Sequence, residues 1–408
     1  MQTRLADFIR DTAEGREADA ILRSCVHCGF CTATCPTYQL LGDELDGPRG
    51  RIYLIKQVLE GHAPTRKTQR HLDRCLTCRA CETTCPSGVR YGRLADIGRG
   101  VVERSVTRPL GERLARRLLR WIVPHAGRFR LMLRLGQALR PLLPGALQRK
   151  VPPHRVAGPW PDRAHARTML VLAGCAQSAA APDTNAAAAR VLDRLGIRLL
   201  EASGAGCCGA LSHHLSAEAE ARAQMRRNID AWWPHLQAGA EAIVMTASGC
   251  GAMVKDYGQL LADDPVYAKK AARVSALTHD LAEVLEKEAL DRLGAHGGGR
   301  RVAFQAPCTL QHGQRLQGRV EAILSRLGFE LTPVQDAHLC CGSAGSYSLL
   351  QPALARRLRD DKLASLRAGG PALIATANIG CQLHLESGTD LPVRHWIELV
   401  DEVTRGED

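Results

Sequence analysis

The spacing of apolar positions divides the chain into a helical first part and a mixed second part. In the first part, apolar residues recur at helical intervals, as at Ile52, Ile55 and Leu59, which predicts helices joined by loops. From Thr168 onward, short strand-like runs such as Met169–Leu172 and Arg301–Phe304 alternate with helical patterns. This alternation predicts buried strands that pair mostly in parallel. The predicted fold class is therefore α+β with several domains.

The second part of the chain is an internal repeat. Each half begins with a strand that leads into a cysteine, presents two adjacent cysteines followed by glycine, and closes with an apolar strand that runs into a fourth cysteine. Matched cysteines lie 133, 133, 133 and 131 residues apart. The two sets are Cys175, Cys207, Cys208 and Cys250, and Cys308, Cys340, Cys341 and Cys381. The repeat predicts two similar α/β modules, over residues 166–295 and 298–408, with cysteines at strand ends and turns.

Two further runs of four cysteines lie in the helical part. Both follow the pattern C-x2-C-x2-C-x3-C-P, over residues 25–36 and 75–86, which bacterial-type ferredoxins use to hold [4Fe–4S] clusters. In that arrangement the fourth cysteine turns away and ligates the other cluster. The predicted ligands are Cys25, Cys28, Cys31 and Cys85 for cluster 1, and Cys75, Cys78, Cys81 and Cys35 for cluster 2. A zinc site or a disulfide knot fits worse, because zinc sites usually use two well-separated C-x2-C pairs.

Residues 1–102 are predicted to form a helical domain around these two clusters. The runs are separated by 39 residues, too many for the compact β-hairpin ferredoxin. Residues 1–24 have helical spacing and are expected to cap cluster 1. The cysteine runs are then expected to form loops between helices.

A basic connector, residues 103–165, joins the cluster domain to the repeat. Between Glu103 and Arg155 the chain has twelve Arg and one Lys against two Glu, an excess of +11 that accounts for nearly all of the net charge of +12. Leucines at positions 110, 114 and 118 predict an apolar helical face, with arginines at 113, 116, 117 and 120 on a cationic face. Two interpretations stay open here. The segment docks on anionic lipid or on an acidic partner subunit, or it is a solvated helical hairpin whose arginine stems cover the core.

Composition places the protein in a reducing compartment. Hydrophobic residues make up 45% and charged residues 24% of the chain, which is typical of globular proteins. Residues 1–14 mix charges throughout and do not resemble a signal peptide, and no apolar run is long enough to span a membrane. Sixteen cysteines are therefore expected to be metal ligands and not disulfides, and the expected location is the cytoplasm.

The eight thiols of the repeat allow two interpretations. They form a third iron–sulfur centre, in one half or in both, or they are buried thiols that pack as small hydrophobic groups. Nearby histidines at positions 213, 214, 312 and 338 would tune such a centre, although a lone histidine is more often a surface or hydrogen-bonded residue.

The order of two cluster motifs, a basic connector and two Cys-Cys-Gly (CCG) modules resembles one family, the iron–sulfur subunits of flavin-linked 2-hydroxy-acid and glycerol-3-phosphate dehydrogenases. Four longer strings resemble most closely the glycolate oxidase (glycolate dehydrogenase) branch: residues 25–38, residues 45–53, Ile229-Asp-Ala-Trp-Trp-Pro234 and Arg394-His-Trp396. The CCG modules also resemble those of heterodisulfide reductase, which bind an atypical cluster. Ala247 and Asn378 stand where that family has the first cysteine of a final C-x2-C pair, which disfavours the atypical five-cysteine cluster.

The resemblance implies an electron-transfer subunit that works with FAD-binding subunits oxidising glycolate to glyoxylate. The chain would pass electrons to a membrane quinone or another acceptor, either free in the cytoplasm or as a peripheral protein on the inner membrane. It would hold two [4Fe–4S] clusters and no flavin, and the isolated chain would not oxidise glycolate. Lactate and glycerol-3-phosphate are the alternative substrates of such a complex.

The residues themselves agree that a flavin or nicotinamide site is missing. No G-x-G-x-x-G motif is expected to follow a strand; Gly204–Gly209 comes nearest, and its two cysteines explain it better. Two other function classes fit less well. A catalytic disulfide reductase needs a substrate-accessible atypical cluster, and a cluster-containing sensor or nucleic-acid binder needs a binding signature that the basic connector lacks. No nucleic-acid partner is therefore expected.

Overall fold

The computed structural model describes residues 1–294 and 296–404. Ala295 and residues 405–408, which include the predicted ends of the two modules, lie outside the described residues. Each region takes the secondary structure that its apolar spacing predicts, helical first and then alternating, and the fold class is the α+β arrangement predicted.

The N-terminal domain is helical, with its two cysteine runs in the loops between helices. Its core lies between α4 and α7, where Ile55 and Leu94 are fully buried. Pro36 and Pro48 begin α3 and α4, where the missing N–H of proline costs nothing because that position has no intrahelical acceptor. The helices are α1 (Asp7–Arg10), α2 (Ala13–Ser24), α3 (Pro36–Leu41), α4 (Pro48–Leu59), α5 (Arg66–Asp73), α6 (Ala80–Thr83) and α7 (Tyr91–Ser105).

The connector forms a helical hairpin, α8 (Leu110–Ile122) and α9 (Ala126–Leu139), followed by the short α10 (Gly145–Gln148). Helix α8 is amphipathic as expected, but its apolar face points to solvent. The exposed fractions are 77% for Leu110, 64% for Leu114, 50% for Leu118 and 54% for Trp121.

Several arginines of the connector face the protein body instead. Arg108 and Arg116 pair with Asp73 of α5 at 2.6 and 3.1 Å, and Arg120 pairs with Glu220 at 3.0 Å. The acidic groups of the neighbouring domains therefore determine which face of the hairpin turns inward.

Each module of the repeat contains a four-stranded parallel sheet, in the order β2-β1-β3-β4 and β6-β5-β7-β8. The prediction of parallel pairing is confirmed by register, for example Leu170 opposite Ile243 and Val302 opposite Leu373. The strands are β1 (Arg167–Val171), β2 (Ile197–Glu201), β3 (Ile243–Met245), β4 (Thr278–Asp280), β5 (Arg301–Gln305), β6 (Glu330–Leu331), β7 (Leu373–Thr376) and β8 (Val393–His395).

Helices cover the sheets, and the cysteines lie in the loops between strands and helices or in the first turn of a helix. Module 1 has α11 (Gln177–Ala180), α12 (Asp183–Arg194), α13 (Ala210–His214), α14 (Glu218–Gln237), α15 (Ser248–Lys255), α16 (Tyr257–Leu260), α17 (Ala268–Leu277) and α18 (Leu281–Leu285). Module 2 has α19 (Arg319–Arg326), α20 (Tyr347–Leu350), α21 (Pro352–Arg367), α22 (Ile379–Glu386) and α23 (Trp396–Thr404).

The two modules share one continuous apolar core. Helix α23 of module 2 packs on α12 of module 1, and α18 of module 1 packs on α19 of module 2, so that each module completes the other. Polar contacts follow the same interface: Arg190 pairs with Asp401 at 2.7 Å, and His395 Nε2 lies 2.8 Å from the carbonyl oxygen of Thr246. The repeat is therefore a single packed unit.

The N-terminal domain docks against both modules through its second cysteine run. Arg79 pairs with Asp256 of module 1 at 2.7 Å. Thr83 Oγ1 lies 2.9 Å from His312 Nδ1 of module 2. This docking brings the cysteine loops of the N-terminal domain to the cysteine end of the repeat.

Candidate metal centres

An enclosed cavity in the N-terminal domain is lined by thiols from both cysteine runs. Its wall contains the first three cysteines of the first run and the last of the second, with a fifth thiol at its edge: Cys25, Cys28, Cys31, Cys85 and Cys81. Four thiols around one enclosed space are the donor set that a [4Fe–4S] cluster requires. The residues present therefore fit such a cluster.

A second cavity lies beside the first. It is lined by Cys75, Cys78 and Cys81 of the second run together with Cys35 of the first run. Cys81 borders both cavities, so the two sites are neighbours. Each cavity draws thiols from both runs, because the fourth cysteine of each run lies in the wall of the other run's cavity.

Left-handed backbone conformations in the cysteine loops wrap the chain around the second cavity. Thr77 and Arg79 have φ values of 54° and 60°, and His27 of the first run has a matching φ of 57°. Such positive φ values are uncommon for residues other than glycine and indicate a tightly constrained loop. One consequence is that the amide of Thr77 donates to Cys75 Sγ at 3.3 Å, which stabilises the thiolate form.

Two arginines place positive charge beside Cys75. Burial raises the pKa of this thiol, but the charges of Arg51 and Arg99 outweigh burial and leave the pKa lowered. Arg51 is 1% exposed and pairs with Asp46 at 3.5 Å, while Arg99 donates to the carbonyl oxygen of Cys75 at 2.6 Å. The thiolate, which is the ligating form, is therefore favoured at this position before any metal binds.

The other thiols of the second cavity lack this compensation. Burial raises the pKa of Cys78 and of Cys81 well above its ordinary value, and neighbouring thiolates raise it further. Several thiolates enclosed together repel one another and favour protonation. A cation or cluster that binds at this site would displace those protons.

The thiols of module 2 lie next to this second cavity. Cys308 and Cys340 are buried in one apolar cluster that also includes Leu76 and, at its edge, Cys78 of the N-terminal domain. The Sγ atoms of Cys308 and Cys340 are 3.8 Å apart. Cys308 follows β5, Cys340 and Cys341 precede α20, and Cys381 lies in the first turn of α22.

This spacing restricts what module 2 can bind as it stands. Four thiolates at about 2.3 Å from a single tetrahedral metal ion are about 3.8 Å apart, whereas a four-iron cluster would require these two thiols to separate. Hydrogen bonds among the neighbouring thiols act in both directions, and together with burial they leave the pKa of Cys308, Cys340 and Cys341 well above its ordinary value.

The thiols of module 1 form a second set with the same placement. Cys207 and Cys208 are buried after β2, whereas Cys175 and Cys250 are partly exposed. The amide of Gly209 donates to Cys207 Sγ at 3.5 Å. Hydrogen bonds from Cys175 and Cys208 lower the pKa of Cys207 and correspondingly raise that of its two neighbours.

The histidines considered as tuning groups instead hold domains together. His213 and His214 lie 3.1 and 3.7 Å from the carboxylate of Asp96 in α7. His312 contacts Thr83 through Nδ1 and the carbonyl oxygen of His338 through Nε2, at 2.9 Å in both cases. Sequence reasoning had no signal for these contacts, because the partner residues are remote in the chain.

The glycine-rich segment Gly204–Gly209 corrects one expectation. It does follow a strand, β2, and it precedes α13. However, the amide of Gly206 is already bonded to Asn228 Oδ1 at 2.9 Å, and Cys207 and Cys208 are 2% and 4% exposed. The segment therefore offers no free row of amides to a nucleotide phosphate, and the conclusion that it is not a dinucleotide site is unchanged.

Comparison with known proteins agrees with this arrangement. A family model described as "4Fe-4S dicluster domain" matches residues 21–89, and one described as "Cysteine-rich domain" matches residues 169–255 and 302–386. The "Glycolate oxidase iron-sulfur subunit" of Escherichia coli (strain K12) is 60% identical over 408 residues, which is the whole length of both chains. The chain belongs to the family of glycolate oxidase iron–sulfur subunits.

Two further relatives are less similar to this chain. The "Probable glycolate oxidase iron-sulfur subunit" of Bacillus subtilis (strain 168) is 29% identical over 94% of this chain and 92% of its own. "Lactate utilization protein A" of Shouchella clausii (strain KSM-K16) is 26% identical over 52% of this chain and 89% of its own length. The glycolate oxidase relatives are thus similar over nearly all of the chain, and the lactate utilization relative over only about half.

Proposed function

We propose that this chain carries electrons between the flavin subunits of a glycolate-oxidising complex and a membrane acceptor. The observation that supports this most strongly is the row of adjacent thiol sites. The two cavities of the N-terminal domain share Cys81, and the second cavity abuts Cys308 and Cys340 of module 2. Sites in direct succession are what electron transfer through a protein requires.

The ligand sets follow from the walls of the two cavities. We assign Cys25, Cys28, Cys31 and Cys85 to cluster 1, and Cys75, Cys78, Cys81 and Cys35 to cluster 2. Cys81 borders both cavities, but the spacing of its run places it with Cys75 and Cys78. A [4Fe–4S] cluster bound at each site would supply one-electron transfer.

The surrounding side chains stabilise a thiolate at the second site and would raise the reduction potential of a cluster bound there. Arg51 and Arg99 favour the thiolate of Cys75 and hold positive charge beside the site. Positive charge near a cluster favours its reduced form and raises its potential. Asp46 holds Arg51 in place and also contacts His71 and Arg74 at 3.0 and 2.7 Å.

The position of module 2 favours it over module 1 as the holder of a third iron centre. Its four thiols are all buried, and two of them pack beside Cys78. In module 1, Cys175 and Cys250 remain partly exposed. We therefore assign the third centre to Cys308, Cys340, Cys341 and Cys381.

The electron donor is assigned to partner subunits that bind FAD. The segment nearest to a dinucleotide motif is filled by cysteines, and the E. coli relative is named as one subunit of an oxidase. Glycolate oxidation to glyoxylate then takes place outside this chain, and the isolated chain does not oxidise glycolate. Lactate remains the alternative substrate, because of the lactate utilization relatives.

The exposed face of the hairpin is assigned to the cytoplasmic surface of the inner membrane. Leucines and Trp121 on α8 continue into Leu131, Leu135 and Leu139 on α9, which are 50–60% exposed. Within the described residues, no helix is long and apolar enough to cross a membrane. Arg113, Arg117 and Arg130, all exposed, flank this face. An apolar face with Trp and flanking Arg is typical of a helix that lies in the headgroup layer of anionic lipid.

This assignment changes which arginines matter for docking. Arg116 and Arg120 are occupied by Asp73 and Glu220, so that their loss would disturb the fold. Arg113 and Arg117 are exposed and are the cations available to lipid phosphates.

The experiment that tests the proposed function is anaerobic purification of the chain with its native partners. We expect FAD in the purified complex, none in this chain alone, and bleaching of the iron–sulfur absorbance when glycolate is added to the complex. A complex that lacks flavin, or that responds to lactate or glycerol 3-phosphate but not to glycolate, would contradict the proposal.

A further inference from the structure

A strongly cationic cavity lies between the end of the connector and module 2, away from the cysteine sites. Its volume is about 360 Å³, within the range of small-ligand pockets. Five cationic side chains line it: Arg140, Arg149, Lys150, Arg155 and Arg394. Two carboxylates, Glu386 and Asp390, also line it, which leaves a net charge of +3 in the wall.

The five cations differ in the ion pairs and hydrogen bonds that they already make within the protein. Arg155 pairs with Glu386, and Arg394 pairs with Glu398 and Glu402. Among the described residues, Arg140 donates to the carbonyl oxygen of Gln148 alone, at 3.3 Å. Arg149 and Lys150 are exposed and also line the cavity. Three cations therefore face a space with one remaining carboxylate, Asp390.

A second observation concerns the hydrogen bonds of Arg155. Its Nη1 is buried and has no hydrogen-bond acceptor within the described residues. A buried charged donor without an acceptor is costly. Arg155 also lines the cavity, so an anion bound there would compensate its charge, and the planar guanidinium of arginine suits phosphate oxygens in particular.

The cavity wall has two sides, one from the connector and one from module 2. The connector side is held by Gln137, whose amide donates to the carbonyl oxygen of Pro152 at 3.1 Å, and by the mutual contact of Arg140 with Gln148. The opposite side is formed by the loop after α22 and the start of β8. The two sides come from segments more than 200 residues apart, so the cavity exists only in the folded chain.

We propose that this cavity is a binding site for a phosphate-bearing anion, either a free phosphate or pyrophosphate group or the phosphate of a lipid headgroup. The site is distinct from the apolar face of the hairpin and does not depend on the proposed electron-transfer function. The two sources share the same chemistry, multiple anionic oxygens that accept from arginine and lysine.

The test uses the full chain with its iron–sulfur clusters, titrated with pyrophosphate by calorimetry and with phosphatidylcholine vesicles that contain or lack phosphatidylglycerol. We expect binding of pyrophosphate, of phosphatidylglycerol vesicles, or of both. The double variant Arg149→Gln/Lys150→Gln should weaken that binding about tenfold or more, because each lost charge-assisted hydrogen bond is worth about that factor. The exchange Arg149→Lys/Lys150→Arg should retain it.

Two controls separate this site from other positive charge. Arg198→Gln removes an exposed cation on β2 and should leave binding unchanged. Leu114→Glu/Leu118→Glu on the hairpin should leave pyrophosphate binding unchanged. If Arg149 and Lys150 are needed for binding to vesicles but not to pyrophosphate, the ligand is a lipid phosphate. If they are needed for binding to pyrophosphate, the ligand is a free phosphate group. No binding of either probe, binding of both that is unchanged in Arg149→Gln/Lys150→Gln, or equal loss in Arg198→Gln, would overturn the proposal.

Discussion

Thr83 Oγ1 lies 2.9 Å from His312 Nδ1, and this contact joins the second ferredoxin-type run to the turn that follows Cys308. Thr83 is two residues before Cys85, and His312 is in the π-helical turn Thr309–Gly313. The contact places the thiols of module 2 beside the second cluster site, whereas those of module 1 approach the N-terminal domain through Asp96 and His213. The two halves of the repeat are therefore not equivalent in position.

The different positions of the two modules predict which cysteine substitution removes a third iron centre. Anaerobic analysis of the wild type should give more than the roughly eight irons of two four-iron clusters. We expect about twelve for a third four-iron centre and about nine for a single tetrahedral iron. Cys340→Ser should return the count to about eight. Its matched control in module 1, Cys207→Ser, should leave the count as in the wild type.

An equal iron count of about eight in all three proteins would show that the thiols of the repeat are only packing groups. Loss of iron in Cys207→Ser but not in Cys340→Ser would assign the centre to module 1 instead.

The crossing of the fourth cysteines predicts a pattern among serine variants. Cys35 lines the second cavity and Cys85 the first. The electron paramagnetic resonance spectrum of reduced Cys35→Ser should therefore resemble that of Cys75→Ser, and the spectrum of Cys85→Ser should resemble that of Cys25→Ser. If Cys35→Ser instead resembles Cys25→Ser, each run serves its own cluster and the assignment is wrong.

The outward apolar face of the hairpin predicts membrane release without unfolding. Leu114→Glu/Leu118→Glu should weaken binding to phosphatidylglycerol vesicles about tenfold or more, since burial of one leucine contributes about 1.5–3 kcal/mol. The thermal midpoint should change little, because both side chains are exposed at 64% and 50%.

The matched control for this prediction is Leu349→Glu, at a leucine that is 61% exposed on module 2. It should leave vesicle binding unchanged. Arg113→Gln/Arg117→Gln should reduce the salt dependence of binding, because exposed charges are screened over about 10 Å at ~0.1 M salt. Vesicle binding that is unchanged in both hairpin variants, Leu114→Glu/Leu118→Glu and Arg113→Gln/Arg117→Gln, would leave only the solvated-hairpin interpretation.

The docking of α7 on α13 predicts a dependence on pH. Burial lowers the pKa of His213, but the charge and hydrogen bond of Asp96 outweigh burial and leave the pKa raised above 6.5. The stabilisation from His213 should therefore be fully present below about pH 6.5 and be lost as pH rises through the raised pKa. The pKa of Asp96 is lowered, so its contribution is present above 3.8 and is lost only as pH falls through the lowered value.

The measurement is the difference in thermal midpoint between the wild type and His213→Gln across this range. His214 also faces Asp96 and acts in the opposite direction, because burial lowers its pKa, so the same difference is measured in a His214→Gln background, which isolates His213. We expect the largest difference at about pH 5–6 and a smaller one at about pH 8. A difference that is constant or grows with pH would show that the pair is not an ion pair.

Much of this architecture could be predicted from local patterns. The cysteine spacing predicted two neighbouring sites, and the repeat predicted two parallel-sheet modules, because both depend on residues that are close in the chain. The direction of the hairpin could not be predicted. An amphipathic pattern shows which residues share a face, but Asp73 and Glu220, which attract the arginines inward, are remote from α8 in the sequence.

The same reason applies to the buried arginines around the second site. Nothing near Arg51 or Arg99 in the sequence indicates that they approach Cys75. Only packing of α4 and α7 against the second run places them there. A basic residue in a helix that is separated from the cluster motif by loops and further helices gives no signal of its own.

Rapid mixing of the complete complex with glycolate, followed at the absorbance of the iron–sulfur clusters, tests the electron-transfer role most directly. In the complex we expect the clusters to be reduced after the flavin, and at a rate that falls in Cys35→Ser while flavin reduction is unchanged. The isolated chain should show no reduction by glycolate. Direct reduction of the isolated chain, or a complex whose flavin turns over with a membrane acceptor while the clusters stay oxidised, would contradict the role proposed for this chain.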